Sequence, residues 1–272
     1  MKTENMIVSV IEQKHILSLL QQDKRLDNRK SFDVRDVEIE TDVIYKAEGS
    51  AKVKLGNTVV YAGVKTELGS PFPDTPEQGV LIVNIEMNPI ASPFFESGPP
   101  SKEAIEMSRV CDRAIRESHV VDLDKLCVVP KEKVWIVFVD IYPLTDDGNL
   151  LDASTLGAMA ALSSTKLKAV KVDPETNATS FKENEFDPLP IKTFATSVTF
   201  SKIGDKLIAD PALNEEKVED GRFTVGVMEN GMVTALQKSL PTSFKKEEIF
   251  LLLDKAVEIA LPKIKDLKEK IK

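Results

Sequence analysis

Three arginines at helical spacing are the side chains of this sequence best suited to binding phosphate. Arg109, Arg113 and Arg116 stand at positions i, i+4 and i+7, so they share one face of a helix over two turns. Guanidinium groups bind phosphate oxygens through planar, paired N–H donors. Asp112 and Glu117 lie in the same stretch, so the alternative is an ordinary ion-paired helix face.

Carboxylates cluster in two further stretches, and paired carboxylates are typical Mg²⁺ ligands in nucleotide chemistry. They are Asp146 and Asp147, followed by Asp210, Glu215, Glu216, Glu219 and Asp220. Glycine, proline and asparagine interrupt both stretches, which is the composition of polar turns. We favour turns over a metal site, and the sequence predicts neither a metal nor a cofactor.

The remaining reactive side chains are few. His15 and His119 are too few for a histidine metal site or an ordinary catalytic triad, and Cys111 and Cys127 lie among apolar residues and are predicted to be packed, free thiols. No P-loop, GxGxxG, CxxC pair or HExxH motif occurs. The net charge of −8 argues against an independent, non-specific nucleic-acid binder, so any RNA contact must be local.

The length and the hydropathy pattern of the chain limit its possible location and number of lobes. No apolar run approaches the roughly 18 residues needed to cross a bilayer, and Met1–Asn5 show no apolar signal sequence. We therefore expect a cytoplasmic protein with no membrane partner. The chain is long enough for two lobes, predicted at 1–190, with an N-terminal helix, and at 191–272, ending in a long helix. The polar, proline-containing segment 173–190 is the predicted boundary.

A helix must position the three arginines. It is predicted from Ser101 to about Ser118, with Ser101 as the N-cap and Glu103 in the first turn. A second helix of small residues, at about 152–166, follows a predicted turn at 146–149. Such a helix can approach a sheet closely.

Strands make up most of the rest. Residues 51–55 and 58–64 alternate around Gly56-Asn57, which is typical of a hairpin, and 222–228 and 232–240 form a second one. Residues 134–142 are nearly all apolar and predict a strand buried on both faces.

Helices are predicted at both ends of the chain. The first spans about 8–22, and the last begins near Phe244 and is expected to kink or break at Pro262. Strands followed by a helix, twice over, predict a duplicated α+β unit with antiparallel pairing.

Four segments, taken together and in this order, resemble the RNase PH family. They are Arg25–Arg29, Gly49–Val60, Ser108–Arg116, and Val139–Tyr142 followed by Asp147–Ala153. The chain looks most like the non-catalytic RNase PH-like subunits of the archaeal exosome. The resemblance implies an α+β, RNase PH-like fold of duplicated β-sheet and helix units, of the ribosomal protein S5 domain 2-like type, with a C-terminal helical layer.

The chain departs from the catalytic members of that family at two places. Their turn after the buried strand reads Asp-Gly-Gly, then Thr or Ser, then Arg, and grips the attacking phosphate; here it reads Asp147-Gly148-Asn149-Leu150. Their catalytic Asp lies in a pattern like Glu-Ala-Asp-Met; here the comparable stretch, Glu219-Asp220-Gly221-Arg222, places an arginine there, while an alignment shifted by two residues would bring Asp220 near that position. By resemblance, this chain is predicted to be inactive alone.

The resemblance also implies partners. A catalytic RNase PH-like exosome subunit would alternate with this chain, as heterodimers, in a hexameric ring that carries RNA-binding cap subunits. Single-stranded RNA would be shortened from its 3′ end by phosphate, and Arg109, Arg113 and Arg116 would contact its phosphates. Two alternatives stay open: an intrinsically active phosphorolytic or Mg-dependent exoribonuclease using Asp210 and Asp220, and a pure scaffold whose arginines form only subunit ion pairs.

Overall fold

The computed structural model describes residues 10–271 and is built in four layers. A six-stranded sheet, a pair of central helices, a four-stranded sheet and a long C-terminal helix lie on one another. This stacking gives each sheet a helical cover, as an α+β fold requires.

The first sheet is formed by the first half of the chain. Its strands are β1 (Val37–Thr41), β2 (Gly49–Leu55), β3 (Thr58–Gly69), β4 (Val80–Ile85), β5 (Cys127–Val129) and β6 (Lys133–Thr145). Their order is β1-β2-β3-β6-β4, with β5 paired to the start of β6. All pairs are antiparallel except β4 with β6. The predicted β2–β3 hairpin is confirmed, and Gly56 supplies its positive φ of 58°.

A two-stranded ribbon follows the first sheet. It pairs β7 (Lys166–Val172) with β8 (Thr179–Pro188) in antiparallel fashion. The polar segment 173–190 therefore contains an ordered strand, although every residue of β8 except Thr179 is exposed. The division into lobes at 190 stays a prediction.

The second sheet is fully antiparallel, in the order β10-β9-β11-β12. Its strands are β9 (Ala195–Ile203), β10 (Lys206–Ala209), β11 (Gly221–Met228) and β12 (Val233–Ser239). The predicted second hairpin is confirmed as β11 and β12. Strand β9 is buried on both faces: Ser197 and Thr199 bond to the central helix layer, whereas Val198 and Phe200 join the core under the C-terminal helix.

Five α-helices and a short 3-10 helix, Leu123–Leu126, complete the part of the chain that the structure describes. The α-helices are α1 (Val10–Gln21), α2 (Lys102–Arg116), α3 (Leu150–Ser164), α4 (Leu213–Val218) and α5 (Lys246–Lys270). The predicted first helix began at residue 8, and positions 8 and 9 lie outside the described residues. Helix α3 is buried from Leu150 to Leu162, because it lies between the two sheets. None of these helices is long and apolar enough to span a membrane.

Strand β6 corrects one prediction. Val137, Val139 and Ile141 are fully buried, but Phe138 on the other face is only half-buried and Tyr142 is 39% exposed. Helices α2 and α3 cover one side of the sheet only, so an apolar strand that looked buried on both faces leaves one face open.

Helix α5 corrects another. It runs from Lys246 to Lys270 through Pro262 without a break. Proline removes one backbone hydrogen bond from a helix. Ala260, Ile264 and Leu267 on either side are buried against the protein, and this packing holds the helix together across the missing bond.

Candidate functional site: an arginine helix and an acidic cavity

Helix α2 forms where its sequence predicted. The Ser101 side chain caps it by accepting the Ala104 N–H at 3.1 Å, and Glu103 lies in the first turn, where the helix dipole favours a carboxylate. One face packs on β4 and α3. The residues buried on that face are Ala104, Met107, Val110, Cys111, Ala114 and Ile115. The opposite face carries the arginines.

All three arginines predicted to bind phosphate are exposed, but their partners differ. Arg116 Nη2 lies 3.2 Å from Asp112 Oδ2 and 3.8 Å from Glu117 Oε1. Arg113 Nη1 donates to the neutral amide oxygen of Gln237 on β12 at 3.3 Å. Arg109 makes no ion pair with any residue in the range 10–271. The helix is confirmed, while binding of RNA by these side chains stays a prediction.

Asp210, in the second predicted acidic cluster, is the centre of a buried ion-pair network. Its carboxylate accepts bonds from Arg29 Nη1 at 2.7 Å, from Arg35 Nη2 at 2.7 Å and Nε at 2.9 Å, and from Asn149 Nδ2 at 2.7 Å. Burial opposes its ionisation, but Arg35, Lys263 and Asn149 outweigh burial and hold the pKa of Asp210 well below its usual range. Arginine and asparagine donors therefore occupy both carboxylate oxygens.

The same network ties together segments distant in sequence. Arg25 is buried, donating to Glu215 Oε1 at 2.8 Å and to the backbone carbonyls of Ala209 and Asp210. Asn149, in a left-handed conformation (φ 56°), bonds both Asp210 and Asp152. Sequence analysis missed this role of the arginines before β1; the clue was the Arg-Leu-Asp-Asn-Arg motif at 25–29, which was used only for the resemblance.

Asp220 does not join this network. It is exposed, and its carboxylate accepts the Gly204 N–H at 2.8 Å, as a turn residue does. Within residues 10–271, no group of three His, Cys, Asp or Glu side chains is arranged to hold a metal ion.

A cavity of about 110 Å³ opens beside α2, between α3, α4 and the ends of β11 and β12. Leu150 and Arg222, the two residues that depart from the catalytic pattern, both line it. Apolar side chains form much of the remaining wall. The charged lining residues are Glu103, Glu106, Asp146, Glu216, Glu219, Lys217 and Arg222.

The Arg222 side chain in this cavity forms ion pairs with carboxylates. Its Nη2 lies 2.6 Å from Glu219 Oε1 and 3.6 Å from Glu216 Oε1. Burial, together with the neighbouring Glu219 and Asp146, raises the pKa of Glu216 to about 8, although Arg222 opposes the shift. Burial also raises the pKa of Glu103 and of Asp146. Neighbouring carboxyl groups raise one another's pKa because their negative charges repel, so this lining is poor in the positive charge that an anion needs.

The two cysteines, Trp135 and His119 lie outside the cavity and the arginine row. Cys111 and Cys127 are free thiols, as predicted, and burial raises the pKa of Cys111 to about 12. Trp135 is 6% exposed and packs on Phe181 with ring centroids 6.0 Å apart. His119 is exposed at the end of α2.

Comparisons with known proteins decide the family. Residues 33–168 match domain 1 of the 3′ exoribonuclease family, RNase PH, and residues 193–259 match domain 2. The chain belongs to the RNase PH family. It is 48% identical to the exosome complex component Rrp42 of Thermococcus onnurineus over 99% of this chain and 97% of that protein. It is 43% identical to the Rrp42 component of Methanothermobacter thermautotrophicus over 97% of this chain and 95% of the relative.

Solved structures agree with this family assignment. A chain of the Archaeoglobus fulgidus exosome with RNA bound to the active site is 45% identical to this RNase PH-family chain, with a TM-score of 0.86. The match covers 96% of this chain and 98% of the Archaeoglobus chain. A chain of an archaeal exosome core has a TM-score of 0.83 and 42% identity, with coverage of 95% and 96%. The resemblance to archaeal exosome RNase PH-like subunits is confirmed, and so is the α+β RNase PH-like fold with its C-terminal helix.

Proposed function

We propose that this chain is the non-catalytic RNase PH-like subunit of an exosome, and that it binds RNA phosphates through α2. The observation that carries the proposal is the acidic cavity containing Leu150 and Arg222. Phosphorolysis needs a site that holds inorganic phosphate and neutralises charge at the phosphodiester. Five carboxylates line this cavity against two basic side chains, and one of those, Arg222, is already paired. Glu216 is largely protonated at neutral pH because its pKa is about 8, but the other carboxyl groups still outnumber Lys217, the one basic lining side chain with no carboxylate partner within residues 10–271. The cavity therefore offers a phosphate anion too little positive charge.

The arginine face of α2 has the opposite character. Arg109 and Arg113 present guanidinium groups that form no ion pair with any carboxylate among residues 10–271. Contacts of this kind position a nucleic-acid strand without reading its sequence. Each neutralised phosphate of a single strand steepens the dependence of log affinity on log salt by about 0.7. We infer that α2 guides single-stranded RNA toward an active site supplied by another subunit.

That other subunit is proposed to be a catalytic RNase PH-like homologue, paired with this chain as heterodimers in a hexameric ring that carries RNA-binding cap subunits. The open face of the first sheet supports assembly. Ile82 is 40% exposed there, Tyr142 39% and Leu144 36%, and large apolar side chains exposed on one face of a sheet are candidates for a subunit contact. We expect the ring to act in the cytoplasm.

The two rival hypotheses have less support. An active nuclease using Asp210 would need a free carboxylate, but this one is surrounded by Arg29, Arg35 and Asn149. A scaffold whose arginines serve only as subunit ion pairs does not account for the exposed Arg109 and Arg113, although Arg116 does pair with Asp112 on its own helix.

The deciding experiment measures phosphate-dependent release of nucleoside diphosphates from single-stranded RNA. We expect the purified chain alone to release none, with phosphate or with Mg²⁺, and to stimulate a catalytic exosome subunit when the two are assembled. Activity of the chain alone would refute the non-catalytic assignment.

Charge reversal tests the arginine helix. Arg109→Glu or Arg113→Glu is expected to lower RNA affinity and activity of the assembled complex while the ring still elutes at its normal size. Lys265→Glu, an exposed position on α5, is the charge-matched control and should change neither. Normal RNA affinity in both arginine variants would refute RNA binding by α2, and loss of the ring would favour the scaffold.

A further inference from the structure

One carboxylate lies among the three arginines of α2. Asp112 follows Arg109 by three residues and precedes Arg116 by four, so it lies beside both on the helix. Its Oδ2 atom is 3.2 Å from Arg116 Nη2. The Asp112 side chain is 20% exposed, whereas that of Arg116 is 53% exposed. The carboxylate is therefore less accessible to solvent than the guanidinium group that it contacts.

This placement divides the arginine row into unequal parts. Arg109 has no ion-pair partner in the described chain, and Arg113 bonds only the neutral Gln237. Of the three arginines, Arg116 alone forms ion pairs within the described chain, with Asp112 at 3.2 Å and with Glu117 at 3.8 Å. Burial and the neighbouring Glu117 raise the pKa of Asp112, and of the three arginines that oppose this rise Arg116, which is in direct contact, has the largest effect.

We propose that Asp112 is a positioning residue that weakens the hold of α2 on RNA by competing with phosphate for Arg116. This rests on the proposed function of the arginine helix. The row carries a formal charge of +3, and Asp112, together with the more distant Glu117, reduces the positive charge at the end nearest Arg116. A phosphate reaching Arg116 must displace Asp112, whereas phosphates at Arg109 and Arg113 displace no carboxylate. A strand that is shortened stepwise must be released and re-bound at each step, and a weakened contact at one end of the row allows that movement.

The test measures binding of a 5′-labelled oligoadenylate by fluorescence anisotropy, without inorganic phosphate. The protein is the full chain, alone and assembled with a catalytic exosome subunit. Asp112→Asn should bind the oligonucleotide about 1.5- to 5-fold more tightly, the range that corresponds to one exposed ion pair. Because Arg116 then gains a phosphate, the salt slope between about 50 and 200 mM should steepen by about 0.7. Asp254→Asn, an exposed position on α5, changes the net charge equally and should alter neither quantity.

A double-mutant cycle shows whether Asp112 acts through Arg116. In an Arg116→Ala background, Asp112→Asn should no longer tighten binding. In the Asp112→Asn background, Arg116→Ala should weaken binding more than it does in the wild type, although Glu117 still lies 3.8 Å from Arg116 in both. A merely structural role of Asp112 would leave the salt slope unchanged.

The outcomes separate this proposal from the one on which it rests. If Arg109→Ala and Arg113→Ala weaken binding but Asp112→Asn leaves it equal or weaker, the role of Asp112 is overturned and the RNA-binding helix stands. If neither arginine variant weakens binding, the proposed function fails as well. A gain that persists without Arg116, or that Asp254→Asn reproduces, also overturns the role of Asp112. Melting curves confirm folding, and Asp112→Ser replaces Asp112→Asn should the asparagine variant not fold.

Discussion

Replacing Asp210 with asparagine is expected to destabilise the protein, because this carboxylate neutralises two arginines in the interior. Asp210 is fully buried, and the side chains of Arg29 and Arg35 are only 12% and 10% exposed. Removing one partner of a buried ion pair costs about 3 to 5 kcal/mol, since the other charge is left uncompensated. Arg35 keeps bonds to the backbone carbonyls of Asp147 and Gly148, so we expect the lower end, about 3 kcal/mol.

Thermal unfolding followed by circular dichroism measures this loss. For a chain of this size, about 3 kcal/mol corresponds to a melting temperature lower by about 6 to 12 °C. Asp220→Asn is the matched control; its side chain is exposed, and it should change stability by less than about 0.5 kcal/mol. A melting temperature of Asp210→Asn within about 2 °C of the wild type would refute the assignment of Asp210 as a structural ion-pair centre.

Low pH should reduce the difference in melting temperature between the wild type and Asp210→Asn. The pKa of Asp210 is depressed in the folded state, so its stabilising contribution is present above the ordinary value of 3.8. That contribution is lost as the pH falls from there toward the folded-state pKa. The gap in melting temperature between wild type and Asp210→Asn should therefore narrow below about pH 4. A gap that stays constant into acid would show that charge is not the cause.

Two further substitutions test the cavity and the turn beside it. The pKa of Glu216 is raised from 4.5 to about 8, so the stability contributed by its protonated form is present below pH 4.5 and lost as the pH rises through 8. Glu216→Gln should therefore raise the melting temperature at about pH 9 and have little effect at about pH 4.5. An equal effect at both pH values would contradict the raised pKa. Gly148→Ala should cost at least about 2 kcal/mol by denaturant unfolding, because φ is +86° and a Cβ would lie 2.5 Å from the Leu213 backbone nitrogen. Gly204→Ala shares the positive φ but meets only Leu17 Cδ2 at 3.4 Å, so it should cost about 1 kcal/mol; equal losses would contradict the steric cause.

The local elements were predictable because short-range rules determine them. The N-cap at Ser101 and the helical spacing of apolar residues placed α2, and alternation around Gly56 placed the β2–β3 hairpin. The exposure of Arg109, Arg113 and Arg116 follows from the same spacing, since α2 buries its opposite face. The predictions that failed concern tertiary contacts. Whether β6 was covered on one face or two, and whether α5 held together at Pro262, depended on what packs against them.

The sequence by itself determined the family, the α+β class and the helix that carries the arginines, because each depends on residue types a few positions apart. The tertiary structure alone decided which charges are neutralised. Arg35 and Asp210 are 175 residues apart, and only folding brings that pair together. The same holds for the acidic cavity, which Leu150 on α3 and Arg222 on β11 both line. An ion pair can join residues at any separation in sequence. Only the folded chain therefore determines which arginine faces solvent without a carboxylate partner and which is the counter-ion of a buried carboxylate.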